Sequence, residues 1–156
     1  MNADEISAKL KEAISAHSDV IAVYLYGSYA SGTARSHSDI DVAVLFSAAV
    51  PDTLKAEIRL EGVLDQLPGL EKVEVAALNR APLKLKAEVL ETGRRVYCRD
   101  DETRAIFEYE TMRTWWDLEP WLAMYNREYF ALLKERFTND QRRAYQRARQ
   151  TLAAAP

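Results

Sequence analysis

Gly27-Ser28, ten residues, and then Asp39-Ile40-Asp41 make up the stretch that decides the fold of this chain, GSYASGTARSHSDID over residues 27–41. The stretch joins two apolar runs, VIAVYLY at 20–26 and IDVAVLF at 40–46. Runs of this length, rich in β-branched and aromatic residues, are typical of buried strands. A strand, a glycine turn, a polar crossover and a second strand with two acids together predict a site for phosphates and a metal ion.

The two acids occupy alternate positions at the start of the second run. Side chains alternate faces along a strand, so Asp39 and Asp41 are expected to point to the same side. Two carboxylates held that close repel each other, and either one takes up a proton or a cation joins them. Magnesium prefers oxygen ligands and leaves coordination positions open for triphosphate oxygens. We therefore expect a magnesium site, anchored by the apolar residues of the opposite face, Ile40, Val42, Val44 and Phe46.

The Gly27-Ser28 turn is the expected phosphate side of the site. A glycine directly after a buried strand allows a positive φ and a close approach of the backbone to a ligand. Ser28 adds a hydroxyl and a backbone N–H, and a short helix beginning near Tyr29 would point further amides at an anion. Two of the five glycines of the chain lie within residues 27–32. This concentration favours a local backbone requirement over an ordinary turn.

Three residues before the acids are weaker candidates. Ser38 could donate to a phosphate or cap the turn, and both interpretations stay open. Arg35 either contacts phosphates or is solvated. His37 is interpreted as a surface residue, because a hard metal site of this type does not require imidazole.

The next apolar run, KVEVAAL at 72–78, contains one acid, Glu74. Nucleotidyl transfer depends on positioning and charge neutralisation, and two metal ions about 3.5–4 Å apart can clamp the attacking and leaving oxygens. A third carboxylate would bridge a metal or take the proton of the incoming hydroxyl. We nominate Glu74, with Val73 and Val75 facing the opposite side. The alternative is a surface residue on an edge strand.

The pattern Gly27-Ser28-x10-Asp39-x-Asp41 resembles the signature of the DNA polymerase β-like nucleotidyltransferase superfamily. The longer stretch GSYASGTARSHSDIDVAV is similar to the minimal nucleotidyltransferases, and more closely to the MntA-type antitoxins that pair with HEPN-domain (HepT) toxins. The similarity runs from Val20 to Tyr125. The segment EKVEVAALNRAPLKLKAEVLETGRRVYCRDDETRAIFE, residues 71–108, follows the order of elements of that family.

The resemblance implies a polymerase β-like α/β (α+β) fold and an enzyme that moves AMP from ATP onto a tyrosine of a HEPN toxin, with pyrophosphate leaving. It implies ATP as substrate and two Mg²⁺ ions. Carried over residue by residue, it assigns triphosphate binding to Gly27 and Ser28, and catalysis and metal binding to Asp39, Asp41 and Glu74. Ser38 is a further candidate for nucleotide binding, from its place just before the acids. The family more often has Asp at the position of Glu74, so this role departs from the pattern.

The motif does not name the acceptor, and two alternatives stay open. Transfer to a small hydroxyl compound, as in aminoglycoside nucleotidyltransferases, is disfavoured because those enzymes generally use a larger second domain. A binding module could neutralise a partner by docking alone, with an inactive nucleotide site. The intact set of acids argues against it, since a buried cluster without metal would only reduce stability.

Composition limits the other classes of function. The net charge of −3 over 156 residues argues against direct nucleic-acid binding and templated polymerisation. One cysteine, Cys98, permits no intramolecular disulfide. No apolar stretch suggests a signal peptide or membrane span, so a cytoplasmic protein without membrane contact is expected.

The periodicity predicts a mixed sheet flanked by helices. Strands are expected over 20–26, 40–46, 72–78 and 95–98, and helices over 3–17, 52–67 and 82–91. Residues 1–100 are expected to form the nucleotidyltransferase core. Residues 101–156 are expected to form C-terminal helices that pack on this core and offer a surface to a partner or a second copy.

An aromatic band runs from Ile106 to Phe137 in the C-terminal region, and Pro120 is expected to break or kink its helix. The tryptophans before Pro120 are interpreted as core, and the residues from Trp121 onward as a docking face. A separate final helix is expected over 140–152, after Thr138-Asn139-Asp140. The excess of basic residues from Arg127 onward is interpreted as a solvated face, with docking to an acidic partner or contact with RNA as the alternatives.

Overall fold

The structure, a computed structural model, describes residues 1–35, 38–70 and 72–153. The chain divides into two compact units, Met1–Trp115 and Trp116–Pro156. His37 and residues 154–156 lie outside the described residues.

Helices and strands alternate through the first unit. The strands are β1 (Val20–Tyr26), β2 (Ile40–Phe46), β3 (Val73–Ala77) and β4 (Arg94–Cys98). The helices are α1 (Ala3–Ile14), α2 (Gly27–Ala30), α3 (Thr53–Leu64), α4 (Leu83–Thr92) and α5 (Asp101–Ala153). The predicted strands and helices are confirmed, with ends that differ by a few residues.

The helix start signals act as the sequence predicts. Asn2 accepts a hydrogen bond from the Glu5 N–H, and the Glu5 side chain accepts one from the Asn2 N–H, which forms a capping box for α1. Asp52 accepts from the Lys55 N–H at the start of α3. Helix α3 ends at Leu64 rather than at 67, because the chain turns there towards Gly69, whose φ is +85°.

The four strands form one mixed sheet in the order β3-β2-β1-β4. Strand β1 is antiparallel to β2 and to β4, and β2 is parallel to β3. One face of the sheet packs on α1 and α3 through a buried apolar core that includes Ile6, Leu60 and Leu64 of the helices. The face of β2 that was predicted to anchor the acids lies in this core, as Ile40, Val42, Val44 and Phe46 are all buried.

The other face of the sheet packs on α4 and on the beginning of α5. Val89 of α4 and Tyr24 of β1 are buried in a second cluster that Phe107 of α5 also contacts. The Tyr24 hydroxyl donates to Glu108 Oε1 at 2.7 Å, and Arg104 donates to the other oxygen of Glu108. This polar contact fixes the first turns of α5 to the centre of the sheet.

Strand β3 lies at one edge of the sheet, and α3 covers its outer backbone. The Val75 N–H donates to Glu61 Oε2 at 2.9 Å, and the Ala77 N–H donates to Glu57 Oε2 at 2.8 Å. One turn further along α3, Asp65 Oδ1 accepts from the N–H of Lys72, just before the strand, at 2.8 Å. Carboxylates spaced four residues apart on one face of the helix thus cap the edge strand.

The second unit consists of the remainder of α5. Pro120 lies inside this helix, and 138–140 are helical too. The helix therefore does not break at Pro120, and the separate helix predicted over 140–152 is wrong. The alternative, a kink at Pro120, stays a prediction. An interior proline costs about 3 kcal/mol, which a long run of helix-forming residues such as Leu122, Ala123 and Met124 can offset. The core interpretation is wrong for Trp116, which is 59% exposed, while Trp115 is half-buried.

Within the described part of the chain, none of the helices has both the length and the apolar character that a membrane crossing requires.

Candidate active site

The register of the sheet brings two of the predicted acids together. Asp41 of β2 is paired with Glu74 on the parallel strand β3 and with Tyr26 on the antiparallel strand β1. Paired residues on neighbouring strands lie about 4.8 Å apart and share a face of the sheet. Glu74 is exposed between the buried Val73 and Val75, as predicted. A row of Glu74, Asp41 and Tyr26 therefore crosses the sheet at one level.

Gly27 brings the turn into contact with this row. Its φ is +67°, so the predicted positive φ is confirmed. An ideal Cβ built on Gly27 would overlap Asp41 Oδ2 and would lie 3.0 Å from Asp41 Cγ. Glycine is thus required for two reasons, the left-handed backbone and the carboxylate that lies against its Cα. The sequence predicted a close approach to a ligand, and the structure places Asp41 itself there.

The turn after Gly27 is the single-turn helix α2. The Ser31 N–H donates to the Gly27 carbonyl at 3.1 Å, and the Thr33 N–H donates to the Ser28 carbonyl at 2.9 Å. The first amides of α2 belong to Gly27 and Ser28, which follow Tyr26 at its N-cap. Among the residues that the structure describes, none exchanges a hydrogen bond with the Ser28 hydroxyl. This half-buried hydroxyl is available to a ligand.

The electrostatics of the row favour a cation. Burial raises the pKa of Asp41, and the negative charges of Glu74 and Asp39 raise it further. Burial also raises the pKa of Tyr26 to about 12, with smaller contributions from four carboxylates: Asp41, Glu74, Glu88 and Glu57. Both shifts arise because several negative charges meet where water is partly excluded.

The remaining candidates lie in the segment before β2. Asp39 is exposed and precedes the strand, yet its charge acts on Asp41. The Ser38 hydroxyl accepts a hydrogen bond from the Arg35 N–H at 2.8 Å, and the Ser38 N–H donates to the Arg35 carbonyl at 3.0 Å. Ser38 therefore caps the turn, which was one of its two interpretations. Arg35 is exposed.

The described residues hold no group of three or more His, Cys, Asp or Glu side chains placed closely enough to bind a metal ion. The chemistry of Asp41 and Glu74 nevertheless fits a hard cation. Both are oxygen donors in adjacent positions, and burial, together with the negative charges of Glu74 and Asp39, raises the pKa of Asp41. Magnesium commonly takes one or two carboxylates from a protein and completes its shell with water and phosphate oxygens.

Sequence reasoning missed Tyr26, Glu57 and Glu61. Tyr26 ends a run of buried residues, so its hydroxyl drew no attention, although it is paired with Asp41. The two glutamates are spaced four residues apart on α3, a spacing that ordinarily suggests a solvated helix face. Only the packing of α3 beside β3 shows that they accept backbone hydrogen bonds.

Among characterised proteins, the chain is similar to the protein adenylyltransferase MntA of Shewanella oneidensis. The two are 32% identical over 88 residues, which are 54% of this chain and 60% of that protein. The chain thus matches less than two thirds of the length of this relative.

Solved structures share the fold. A toxin–antitoxin MntA–HepT crystal structure with a point mutation has a TM-score of 0.59 at 26% identity, and covers 81% of this chain and 97% of its own. A toxin–antitoxin structure with AMP-PNP has a TM-score of 0.57 at 24% identity, and covers 81% of this chain and 98% of its own.

The family model described as polymerase beta, nucleotidyltransferase, matches residues 8–102. This match includes the turn at Gly27, the acids of β2 and Glu74, and it extends over more than half of the 156 residues. The chain therefore belongs to the polymerase beta nucleotidyltransferase family.

Proposed function

We propose that this chain is an ATP-dependent protein adenylyltransferase that acts as an antitoxin. It transfers AMP from ATP to a tyrosine of a cognate HEPN-type RNase toxin and thereby neutralises the toxin. One observation carries the proposal: Asp41 lies against Gly27 of the phosphate turn and is paired with Glu74 on the next strand. A nucleotide tail bound at this turn would therefore lie beside both carboxylates.

The chain's own groups have distinct roles in this proposal. Gly27 and Ser28 bind the triphosphate through the first amides of α2 and the free Ser28 hydroxyl. Ser38 keeps the turn before β2 in shape, and its hydroxyl proton can still be donated to a phosphate oxygen.

Asp39, Asp41 and Glu74 are the residues that would hold Mg²⁺, with two ions as the family resemblance implies. When bound, magnesium neutralises the triphosphate and the charge that develops on the leaving pyrophosphate. The carboxylates supply oxygen donors on a rigid strand, because the opposite face of β2 is buried. Asp41 is the least exposed of the three, and its raised pKa is expected to return towards its usual range when a cation is present.

The reaction forms one bond and breaks another. The tyrosine oxygen of the toxin attacks the α-phosphorus of ATP, the bond between that phosphorus and the oxygen bridging to the β-phosphorus breaks, and pyrophosphate leaves. Glu74 accepts the proton of the tyrosine hydroxyl. Its side chain is exposed on the face that carries Asp41, so an incoming hydroxyl can reach it.

The similarity to MntA supports AMP as the transferred group, and the neighbouring MntA–HepT complex supports a toxin as the acceptor. The second unit offers a docking surface for it. Large apolar side chains are exposed along α5 beyond Trp115, among them Trp121, Tyr125 and Phe130, which are 62–67% exposed. Aromatic anchors of this kind dominate protein interfaces. ATP and the toxin would meet in the cytoplasm.

The test is incubation of the chain with α-labelled ATP, Mg²⁺ and a HEPN-type RNase toxin. We expect label on the toxin band and a mass increase of whole adenylyl groups on a tyrosine. Asp39→Asn/Asp41→Asn should abolish the transfer, Glu74→Gln should abolish it while ATP binding persists, and Glu12→Gln, an exposed acid of α1, serves as the control. Label on small molecules alone, or full rescue from toxicity by Asp39→Asn/Asp41→Asn, would contradict the proposal.

A further inference from the structure

We propose that Glu57 and Glu61 of α3 are positioning residues of the active site. By accepting backbone hydrogen bonds from β3, they hold Glu74 beside Asp41. This inference rests on the proposed function, because it concerns the carboxylate row that would bind metal and substrate.

The contacts act on the strand segment that carries Glu74. The Val75 N–H, which belongs to the peptide directly after Glu74, donates to Glu61 Oε2 at 2.9 Å. The Ala77 N–H donates to Glu57 Oε2 at 2.8 Å. Alternate amides of a strand point to the same edge, so these two point away from β2. The capping glutamates therefore take the place of a further strand.

Strand β3 needs this support more than the other strands that carry site residues. Strand β2 is paired on both sides, with β1 and with β3, whereas β3 is paired only with β2. In addition, Asp41 and Glu74 are paired on neighbouring strands and carry like charges, so they repel each other across the pair. A small displacement of β3 would separate the carboxylates and relieve this repulsion. The caps on the outer edge oppose that displacement.

The Glu57 carboxylate is itself held in place. Arg80, in the turn after β3, donates through Nε to Glu57 Oε2 at 3.3 Å and through Nη2 to Glu57 Oε1 at 3.4 Å. The Glu57 side chain is only 15% exposed. One carboxylate thus joins α3, the end of β3 and the following turn, so it can transmit the position of the helix to the strand.

The capping function depends on an acceptor oxygen at the correct distance from the helix backbone. Substitutions that keep, shorten or remove this acceptor therefore form a graded set of variants. Glutamine keeps such an oxygen at the same distance, aspartate is one methylene shorter, and alanine removes the acceptor. Arg59→Ala is the matched control, because Arg59 lies on the same helix but donates to Asp19 at 2.8 Å, and it forms no hydrogen bond with the described residues of β3.

The experiment measures the amide protection of β3 and the metal affinity of the site separately. Amide hydrogen exchange by NMR follows Val75 and Ala77. Titration with Mn²⁺ in the presence of a non-hydrolysable ATP analogue, followed by electron paramagnetic resonance, reports metal binding without any acceptor. AMP transfer to the toxin gives kcat and KM as a third readout.

In Glu61→Ala and Glu57→Ala, we expect exchange at these amides to become about tenfold faster. The Mn²⁺ dissociation constant should rise about tenfold, as when the partner of a metal ligand is removed. The kcat should fall about tenfold or more with little change in the KM for the toxin. Glu61→Gln and Arg59→Ala should match the wild type in all readouts. Glu61→Gln is the decisive conservative variant, because Glu57→Gln would also lose the ion pair with Arg80.

Faster amide exchange with unchanged Mn²⁺ binding would overturn the inference, since the glutamates would then stabilise the strand alone. Unchanged amide exchange in the alanine variants would overturn it as well. If the alanine variants do not fold, Glu61→Asp and Glu57→Asp decide by the same criteria. Wild-type protein that binds Mn²⁺ with the ATP analogue but adenylylates no toxin would refute only the proposed acceptor. Wild-type protein that does not bind Mn²⁺ at all would overturn both proposals.

Discussion

Replacing Gly27 with alanine should reduce stability through one identifiable contact. Gly27 has a φ of +67°, and Gly32, five residues later, has a φ of +72°. A Cβ on Gly27 would overlap Asp41 Oδ2, whereas a Cβ on Gly32 would meet nothing within 4 Å. The two substitutions therefore impose the same backbone strain, and only one of them adds a steric clash with the active-site carboxylate.

The magnitudes can be worked out separately. A left-handed non-glycine residue costs about 1–2 kcal/mol, and alanine recovers about 0.5–1 kcal/mol by restricting the unfolded chain. Gly32→Ala should thus lower the free energy of unfolding by about 1 kcal/mol. Moving the Asp41 side chain away from a new Cβ adds about 1–3 kcal/mol, as for other overpacked sites. Gly27→Ala should therefore cost about 2–4 kcal/mol in all.

The assay is urea unfolding followed by far-UV circular dichroism and tryptophan fluorescence, with stabilities compared where the two transitions coincide. A double-mutant cycle with Asp41→Ala isolates the contact. This second change removes Oδ2 and Cγ and leaves the Asp41 Cβ at 3.4 Å, an ordinary distance. In the Asp41→Ala background, Gly27→Ala should cost only as much as Gly32→Ala, which gives a coupling energy of about 1–3 kcal/mol.

Two results would refute this reasoning. Equal losses for Gly27→Ala and Gly32→Ala would mean that Asp41 does not lie against the glycine. Strict additivity of Gly27→Ala and Asp41→Ala would mean the same, because independent sites add. Either result would also remove the observation on which the proposed function depends.

Three further predictions follow from single contacts. Asp41→Asn should raise the Tm at pH 7 without metal, because the raised pKa of Asp41 means that its ionised form destabilises the folded chain. The gain in Tm over wild type should vanish as the pH falls through that pKa towards the ordinary aspartate value. A gain in Tm that persists at low pH would contradict the electrostatic cause. Tyr24→Phe should lower the free energy of unfolding in urea by about 1–3 kcal/mol, because it removes the buried hydrogen bond to Glu108, and an unchanged midpoint would place that contact outside the stabilising core. Trp121→Ala should weaken toxin binding in isothermal titration by about 2 kcal/mol and barely change the Tm, as its ring is 67% exposed; the reverse order would make Trp121 a core residue.

Much of the fold is predictable because its signals are local. The apolar runs of β1 and β2, the capping box at Asn2 and the N-cap at Asp52 depend only on residues near them in the chain. The positive φ of Gly27 follows from its place at the end of a buried strand. These features could be stated from the sequence because tertiary packing does not override them.

The geometry of the site could not be predicted from the sequence, because it depends on contacts between segments that are distant in the chain. The pairing of Asp41 with Glu74 depends on the parallel register of β2 and β3, which no residue near either acid determines. The caps from Glu57 and Glu61 depend on how α3 lies beside β3. Pro120 shows the opposite case, because a local rule predicted a break or a kink, and the helix continues through Pro120 where the surrounding helix-forming residues outweigh the break.

The capped edge of β3 also affects how this protein can associate. An unpaired edge strand is a template on which another chain can add a strand, a route both to domain swapping and to amyloid. Here Glu57 and Glu61 already satisfy the outward amides of Val75 and Ala77, and they surround that edge with negative charge. Addition of a strand from another molecule is therefore blocked at the β3 edge. Partners must therefore approach through side-chain surfaces or the opposite edge, β4.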